Sequence, residues 1–385
     1  VKSDKAALAH YGKFLEGTKK YIARTGRKEG RRLAMIACLL VVCIENLCSR
    51  PHNALIHSQQ GLKLVEEQGD DDTSISPSTT ATMEVELMQQ FSRLDLQIAG
   101  YDVQAKSVHR KLKGEGANSI REMPGTFKNV EQAGQYLDLV MRRSFHFMAH
   151  TNLTHKAQFK FGLQDGTWHS MLHLSEEQYA NTAPYIVQFE HEIYVSEVRR
   201  WDQAFESLFT EVLRNPNHPN ATRALMMKVH SITTAVLLAD HLSTSELHWD
   251  TLLPEMKSLV YFSKQLLEHP ACLRGQFAFD MGLIYPLIMP TMNCRDRTLR
   301  REAIDLLEEI PWREAHWDSA HIADVAKFIM QVEEEGVETE YVPEWARVKS
   351  FEIDIHMNTG MVHLTCHRGV GESAVAVEGD LDWSA

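Results

Sequence analysis

The chain has 385 residues, 44% hydrophobic and 24% charged, enough for one large globular core or two packed ones. Its formal net charge of −12 argues against direct nucleic-acid binding, which needs clustered Lys and Arg; the basic stretches Lys19 to Arg32 and His109 to Lys113 read as solvated helix ends and loops. The longest apolar run, Leu33 to Ile44, is about twelve residues against the roughly 20 that cross a bilayer, so it reads as a buried helix and no membrane span is expected.

The amino-terminal Val1-Lys-Ser-Asp-Lys5 is polar and has no secretory layout. Leu8, Tyr11, Phe14, Leu15, Tyr21 and Ile22 then recur with a helical rhythm over residues 5–24, up to Gly26. Arg32 to Leu47 is apolar nearly all round, as expected of a helix surrounded by others. A break at Ser49-Arg-Pro51 opens a third helix to Glu67, in which Gly61 lets a neighbour approach closely. The polar, acidic segment Asp70-Asp-Asp-Thr-Ser-Ile-Ser-Pro-Ser-Thr-Thr80 reads as a flexible loop near 70–80. Helix returns over Met83 to Ala99, and Gly114, Gly116, Pro124 and Gly125 predict a second loop near 112–127.

Asn129 to Thr151 is helical again, with Ala133, Tyr136, Leu137, Val140, Met141 and Phe147 on the repeating positions. Residues 151–180, with Gly162, Gly166 and a polar mixture around Trp168, are expected to be loop with short helical pieces. Pro184 to Leu213, Ala221 to His241 and Leu252 to Leu267 are further helices. The kinked apolar segment from Gln276 to Pro290 leads into two better-specified ones. Leu299, Ala303, Leu306, Leu307 and Ile310 form the first stripe, stopped by Pro311. Asp318 is placed to cap the second, with Trp317 set to staple onto Ile322 and Gly336 just past its end. Only at the carboxyl end does the period become two: Phe351, Ile353, Ile355 and Met357 alternate with polar residues, and after Asn358-Thr-Gly360 a second alternating run predicts a small β-hairpin.

Six cysteines are scattered without CxxC pairs, so neither a zinc site nor a disulfide framework is expected. Cys38, Cys43 and Cys48 share a helix at a spacing of five, which turns successive sulfurs about 140° apart and keeps them from one metal. Reduced thiols in a nuclear or cytosolic compartment follow.

Several segments in order resemble the regulatory region of fungal zinc-binuclear-cluster transcription factors. They are Ala34-Met-Ile-Ala-Cys-Leu-Leu-Val-Val-Cys-Ile-Glu45, Asn53-Ala-Leu-Ile-His-Ser-Gln-Gln-Gly-Leu-Lys-Leu64, Phe91-Ser-Arg-Leu-Asp-Leu-Gln97, Gly282-Leu-Ile-Tyr-Pro-Leu287 with Cys294-Arg-Asp296 and Leu299-Arg-Arg-Glu-Ala303, then Trp317-Asp-Ser-Ala320 and Glu333-Glu-Glu-Gly336. The resemblance implies a regulatory and dimerisation domain over residues 1–385, with sub-lobes 1–150 and 151–385, that packs helices against a second copy and takes an apolar small-molecule effector. The family's DNA-reading cluster of six cysteines is not in this chain. With that module elsewhere in the protein the location is nuclear. Without it, a cytoplasmic binder or an enzyme of secondary metabolism acting on an apolar substrate is the rival reading, because function belongs to sites and not to folds.

Candidate chemistry centres on residues 141–205. His146 and His150 stand one helical turn apart with His155 beyond, but no Glu follows His146 in the manner of a metalloprotease helix, and no metal or cofactor is expected. His169 and His173 are likewise four apart. His191 and Glu192, with Asp202 beyond, are the acid–base candidates if their helix faces a cavity. Glu197 and Arg200 on the same helix read as a solvated charged face. Phe145, Trp168, His169 and Tyr194 are the candidate lining of an apolar ligand pocket. No motif for acyl, phosphoryl or hydride transfer is present. The expected fold is all-α, an irregular superhelical stack of about a dozen helices with the small carboxyl-terminal hairpin.

Overall fold

A computed structural model describes residues 2–48, 51–66, 83–98, 105–155, 160–164, 167–172, 185–215, 217–243, 245–270, 272, 277–309, 312–314, 317–356, 359–369 and 375–383. The loop expected near 70–80 lies outside them. The chain divides into two compact units, residues 1–98 and 99–385.

The first unit is helical. Helices α1 (Lys2–Ile22), α2 (Arg27–Leu47), α3 (Pro51–Glu66) and α4 (Met83–Ile98) match the predicted segments closely. A buried carboxylate ties three of them, since Glu45 accepts hydrogen bonds from the Tyr11 hydroxyl at 2.9 Å and the Asn53 amide at 3.2 Å. Gly61 is the close-approach point expected of it: a Cβ there would stand 2.5 Å from Cys38 Sγ and 2.6 Å from Phe91 Cε1. Burial pushes the Cys38 thiol up to about 11, and its sulfur donates to the His57 carbonyl, so it packs as a small apolar group.

The second unit carries a helical body and a sheet. After α5 (Ala105–Lys111), the glycine-rich stretch predicted as a loop near 112–127 starts instead with one π-helical turn (Leu112–Gly116) and the short helix α6 (Ala117–Arg121). Its Ile120, Met123 and Phe127 are buried, and that apolar anchoring outweighs the local helix-breaking composition. Helices α7 (Val130–His155), α8 (Tyr185–Leu213) and α9 (Ala221–His241) form the body, with α8 one continuous helix. Trp201, fully buried, donates its indole N–H to the Ala133 carbonyl at 2.9 Å and stacks in a row with Phe127, Phe205 and Phe209.

Helices α10 (His248–Thr251) and α11 (Leu253–Glu268) lead to a three-stranded sheet of β3 (Phe277–Ala278), β4 (Arg313–Glu314) and β5 (Trp317–Asp318), interleaved with α12 (Ile284–Asn293) and α13 (Arg297–Glu308) and followed by α14 (Ser319–Glu334). Local capping chemistry starts the last two helices. Asp296 accepts from the amides of Thr298 and Leu299, and Asp318 from those of Ala320 and His321. Gly336 ends α14 at φ +72°, the left-handed position where a side chain would be strained. Trp317 lies 6.2 Å from the Tyr285 ring.

Following a 3-10 turn (Glu344–Ala346), β6 (Val348–His356) and β7 (Met361–Arg368) are the predicted hairpin. The sheet is larger than that pair. Strand β8 (Val375–Asp382) extends it on one side, and β1 (Lys160–Gln164) with β2 (Thr167–Leu172) on the other, in the antiparallel order β1-β2-β6-β7-β8. The reading of 151–180 as loop with short helical pieces is corrected here: β2 pairs from Thr167↔His356 to Leu172↔Phe351, so a distant strand supplies its hydrogen bonds. One face, carrying Phe351, Ile353, Ile355, Val362, Leu364, Cys366, Val377 and Leu381, packs on Val325, Phe328, Ile329 and Val332 of α14. The whole is mostly helical with a small carboxyl-terminal sheet, as the hydrophobic periodicity predicts. Among the described residues no helix is long and apolar enough to cross a membrane.

Candidate functional site

Long helices with one charged stripe and one aromatic stripe bury the aromatic side, and charges near the seam must find partners or stay wet. At the meeting of α5, α7, α8 and α9 they find partners. The Glu190 carboxylate, 8% exposed, takes the Lys113 ammonium at 2.5 Å on Oε2, and on Oε1 His109 Nε2 at 3.0 Å and the Tyr194 hydroxyl at 3.1 Å. Burial works against its charge, but the hydrogen bonds and charges of His109 and Lys113 win and hold the carboxyl down at about 2. Burial, with the neighbouring Glu190 charge, pushes the Tyr194 phenol up, so it stays a neutral donor.

Two turns beyond Glu190 along α8, Glu197 is gripped by Arg143 of α7 through Nε at 2.8 Å and Nη2 at 2.7 Å, while Nη1 of the same guanidinium donates to the Leu112 carbonyl. Arg143 also lies 5.2 Å over the Tyr194 ring. Glu197 is therefore not part of a solvated face; the fork geometry of arginine lets a carboxylate be buried that would otherwise be too costly. Arg200 likewise turns inward and donates to the carbonyls of Ile120 and Met123.

The imidazoles gather around His109 and the Phe147 ring. His109 stacks on His150 at 4.8 Å, and Phe147 lies 4.8 Å from Tyr194, 5.4 Å from His241 and 6.1 Å from His191. His191 Nε2 donates to the Leu238 carbonyl at 2.7 Å, and His241 Nε2 lies 2.6 Å from Thr151 Oγ1. Of the predicted candidates, then, His150, His191 and Tyr194 share one cluster, and His146 is fully buried one turn before His150. Glu192 is exposed, because its place on the helix turns it away from the side occupied by Glu190 and Tyr194. Asp202 accepts from Lys228 at 2.7 Å. Phe145 faces Tyr285 of α12 at 6.1 Å, away from the imidazoles. Trp168 and His169 are on β2, whose backbone alone is described, and their side chains, like that of His155 and the whole of His173, lie outside the described residues. Among the described residues no three His, Cys, Asp or Glu side chains are arranged to hold a metal ion.

No protein-family model, curated protein or solved structure matches this chain.

Two further polar centres lie among α12, α13, α14 and the strands beside them. Glu333 of α14, fully buried, accepts from Arg295 at 2.7 and 2.8 Å, from Arg300 at 2.5 Å and from the Val348 amide at 2.7 Å. Burial would raise it, yet the two guanidinium charges keep it below the ordinary carboxylate range. Glu314 of β4 caps α12, its carboxylate accepting from the amides of Gly282, Leu283 and Ile284 at 3.1, 2.7 and 2.8 Å and from the Trp312 indole at 2.7 Å. Here burial outweighs the donors and the carboxyl is raised. Gly282 is required by this contact, since a Cβ would stand 2.2 Å from Glu314 Oε1. An open groove of about 590 Å³ beside α10, lined by Leu242, Ser243, Leu247, His248 and Thr251, contains none of the predicted site residues.

Sequence reasoning overlooked His109, Lys113, Arg143 and Glu190. The available signal was weak: an apolar-faced helix carrying Glu190 and Glu197 seven apart, hence on one side, with basic residues elsewhere to neutralise them.

Proposed function

We propose that this chain is the regulatory, partner-binding part of a transcription regulator of the kind it resembles, acting by packing helices against a second copy of itself. The observation that carries the reading is the start of α8. Its buried side is occupied by Glu190, Tyr194 and Glu197, while Tyr185, Ile186 and Phe189 are 80%, 72% and 60% exposed and Ile193 follows on the same helix. Apolar side chains clustered at a helix surface favour association, because covering them removes area from water.

The polar cluster beneath supports interaction over catalysis. A general base works best with a pKa near the working pH, and Glu190 is held far below it by partners that occupy both its oxygens. The Arg143 fork likewise commits both oxygens of Glu197. The chain's net charge of −12 supports a partner that is protein and not DNA.

Sedimentation velocity tests the reading. The wild-type chain is expected to dimerise, and the double substitution I186D/F189D to shift it to monomer with unchanged helical circular dichroism. An unaltered association state in the variant overturns the assignment of this surface, and sequence-specific DNA binding by the chain alone in a shift assay overturns the wider reading.

A further inference from the structure

A strand at the margin of a sheet keeps half of its backbone hydrogen-bonding groups unused, and the side chains alternating along it decide what can pair there. Strand β8 is such a margin: among the described residues only β7 pairs with it, in unbroken register from Met361↔Asp382 to Arg368↔Val375. Just beyond, the Trp383 amide donates to the Gly360 carbonyl at 2.8 Å, which fixes the parity. Odd-numbered residues of β8 turn their N–H and C=O groups toward β7, and even-numbered ones, Ala376, Glu378, Asp380 and Asp382, turn theirs to the open side.

The same alternation sorts the side chains. On the face packed on α14 stand Val375, 58% exposed, then Val377 and Leu381, and between them Gly379 lies under the Phe328 ring so closely that a Cβ would meet it at 2.2 Å. On the outer face β6 contributes Glu352 and Asp354, and β8 contributes Glu378, Asp380 and Asp382. No Lys or Arg occupies an outward position of β6, β7 or β8, and His363 Nδ1 lies 2.8 Å from Asp380.

We propose that the open side of β8 is a docking edge for an extended basic segment of another protein, one in which Lys or Arg alternates with aliphatic residues. Such a segment adds as a further strand, its backbone meeting that of Ala376, Glu378 and Asp380, its cations beside the outer-face carboxylates and its aliphatic side chains beside Val375 and Val377. A second copy of β8 is the wrong occupant. Antiparallel self-pairing centred on Gly379 sets Glu378 against Asp380, and centred on Asp380 it sets Glu378 against Asp382, so like charges confront each other in both registers. The acidic row thus blocks self-assembly at this edge and selects for a partner of opposite sign. This surface is separate from the α8 row and stands whether or not that row dimerises.

The test uses the whole chain and a fluorescein-labelled peptide of alternating Lys and Val, with alternating Glu and Val as control, read by anisotropy. The Lys peptide is expected to bind, more weakly as salt is raised, and the Glu peptide not to bind. Substitution A376P removes one outward N–H without changing charge or the β7 pairing, and is expected to weaken binding by about tenfold. E378K is expected to weaken it comparably. Hydrogen exchange over 375–383 supplies a readout independent of variant folding: the Lys peptide should slow exchange of the outward amides in the wild-type chain. No binding of the Lys peptide, equal binding of both peptides, unchanged binding by A376P, or unaltered exchange in that segment overturns the proposal.

Discussion

The contact between α5 and α8 and the start of α12 each bury a carboxylate, and they treat it in opposite ways. Glu314 receives four N–H donors yet its carboxyl is raised, whereas Glu190 receives three partners and is held down at about 2. The count of hydrogen bonds therefore does not set the sign. Two of the partners of Glu190, Lys113 and His109, carry or can carry full positive charge, and Lys113 remains half in water, so its own desolvation is small. Partners of Glu314 are neutral dipoles, and nothing offsets the loss of solvent around the acid. Glu333 separates the two variables: it is as buried as Glu314 but has two guanidinium partners, and it is lowered.

The largest test of this contrast removes the acid between two cations. E333A leaves Arg295 and Arg300 buried without their carboxylate, and an expected loss of about 3–5 kcal/mol follows in urea unfolding. The exposed E192A should stay within about 0.5 kcal/mol of wild type. Equal costs for the two would mean that charge neutralisation is not what holds α13, α14 and β6 together.

At the neutral-donor centre a steric change is sharper than an electrostatic one. G282A drives a methyl into the Glu314 carboxylate and is expected to cost about 1–3 kcal/mol. In an E314D background, where the acid is shorter by one methylene, part of that cost should disappear. Strict additivity of the two substitutions in thermal unfolding would show that the cap is not the cause.

The smallest effect is one of pH. The carboxyl of Glu190 is lowered in the folded chain, so the stability it contributes is complete above its ordinary value of 4.5 and is lost as pH falls from there toward about 2. The urea midpoint of the wild-type chain should decline through that window, and E190Q should show a shallower decline from a lower plateau. Parallel pH curves for the two would break the assignment of His109 and Lys113 as the deciding partners.

Legibility in the sequence followed the range of the interaction. The cap Asp318 and the stop at Gly336 depend on neighbours within a turn, and both were read from the sequence; the cap at Asp296 is equally local but was passed over. Strand β8 was harder, although Val375, Val377 and Leu381 alternate with acids, because Gly379 interrupts the apolar side. That glycine is demanded by Phe328, which no local pattern reveals. Of the candidate site, His150, His191 and Tyr194 were found by their residue types and spacing. Glu190 and Glu197 were passed over, because a carboxylate on a mixed-charge helix looks solvated until its partner arrives from 77 or 54 residues away.

By itself the sequence determined the long amphipathic helices and where the carboxyl-terminal period-two run begins, since helix hydrogen bonds close within four residues and the burial period is written along the chain. Tertiary structure alone decided that Thr167 to Leu172 would be a strand, that Lys113 would meet Glu190, and that Arg295 and Arg300 would share Glu333. Those choices belong to surfaces brought together by folding, where a charge or a strand edge out of water must be matched by whatever group the packing delivers.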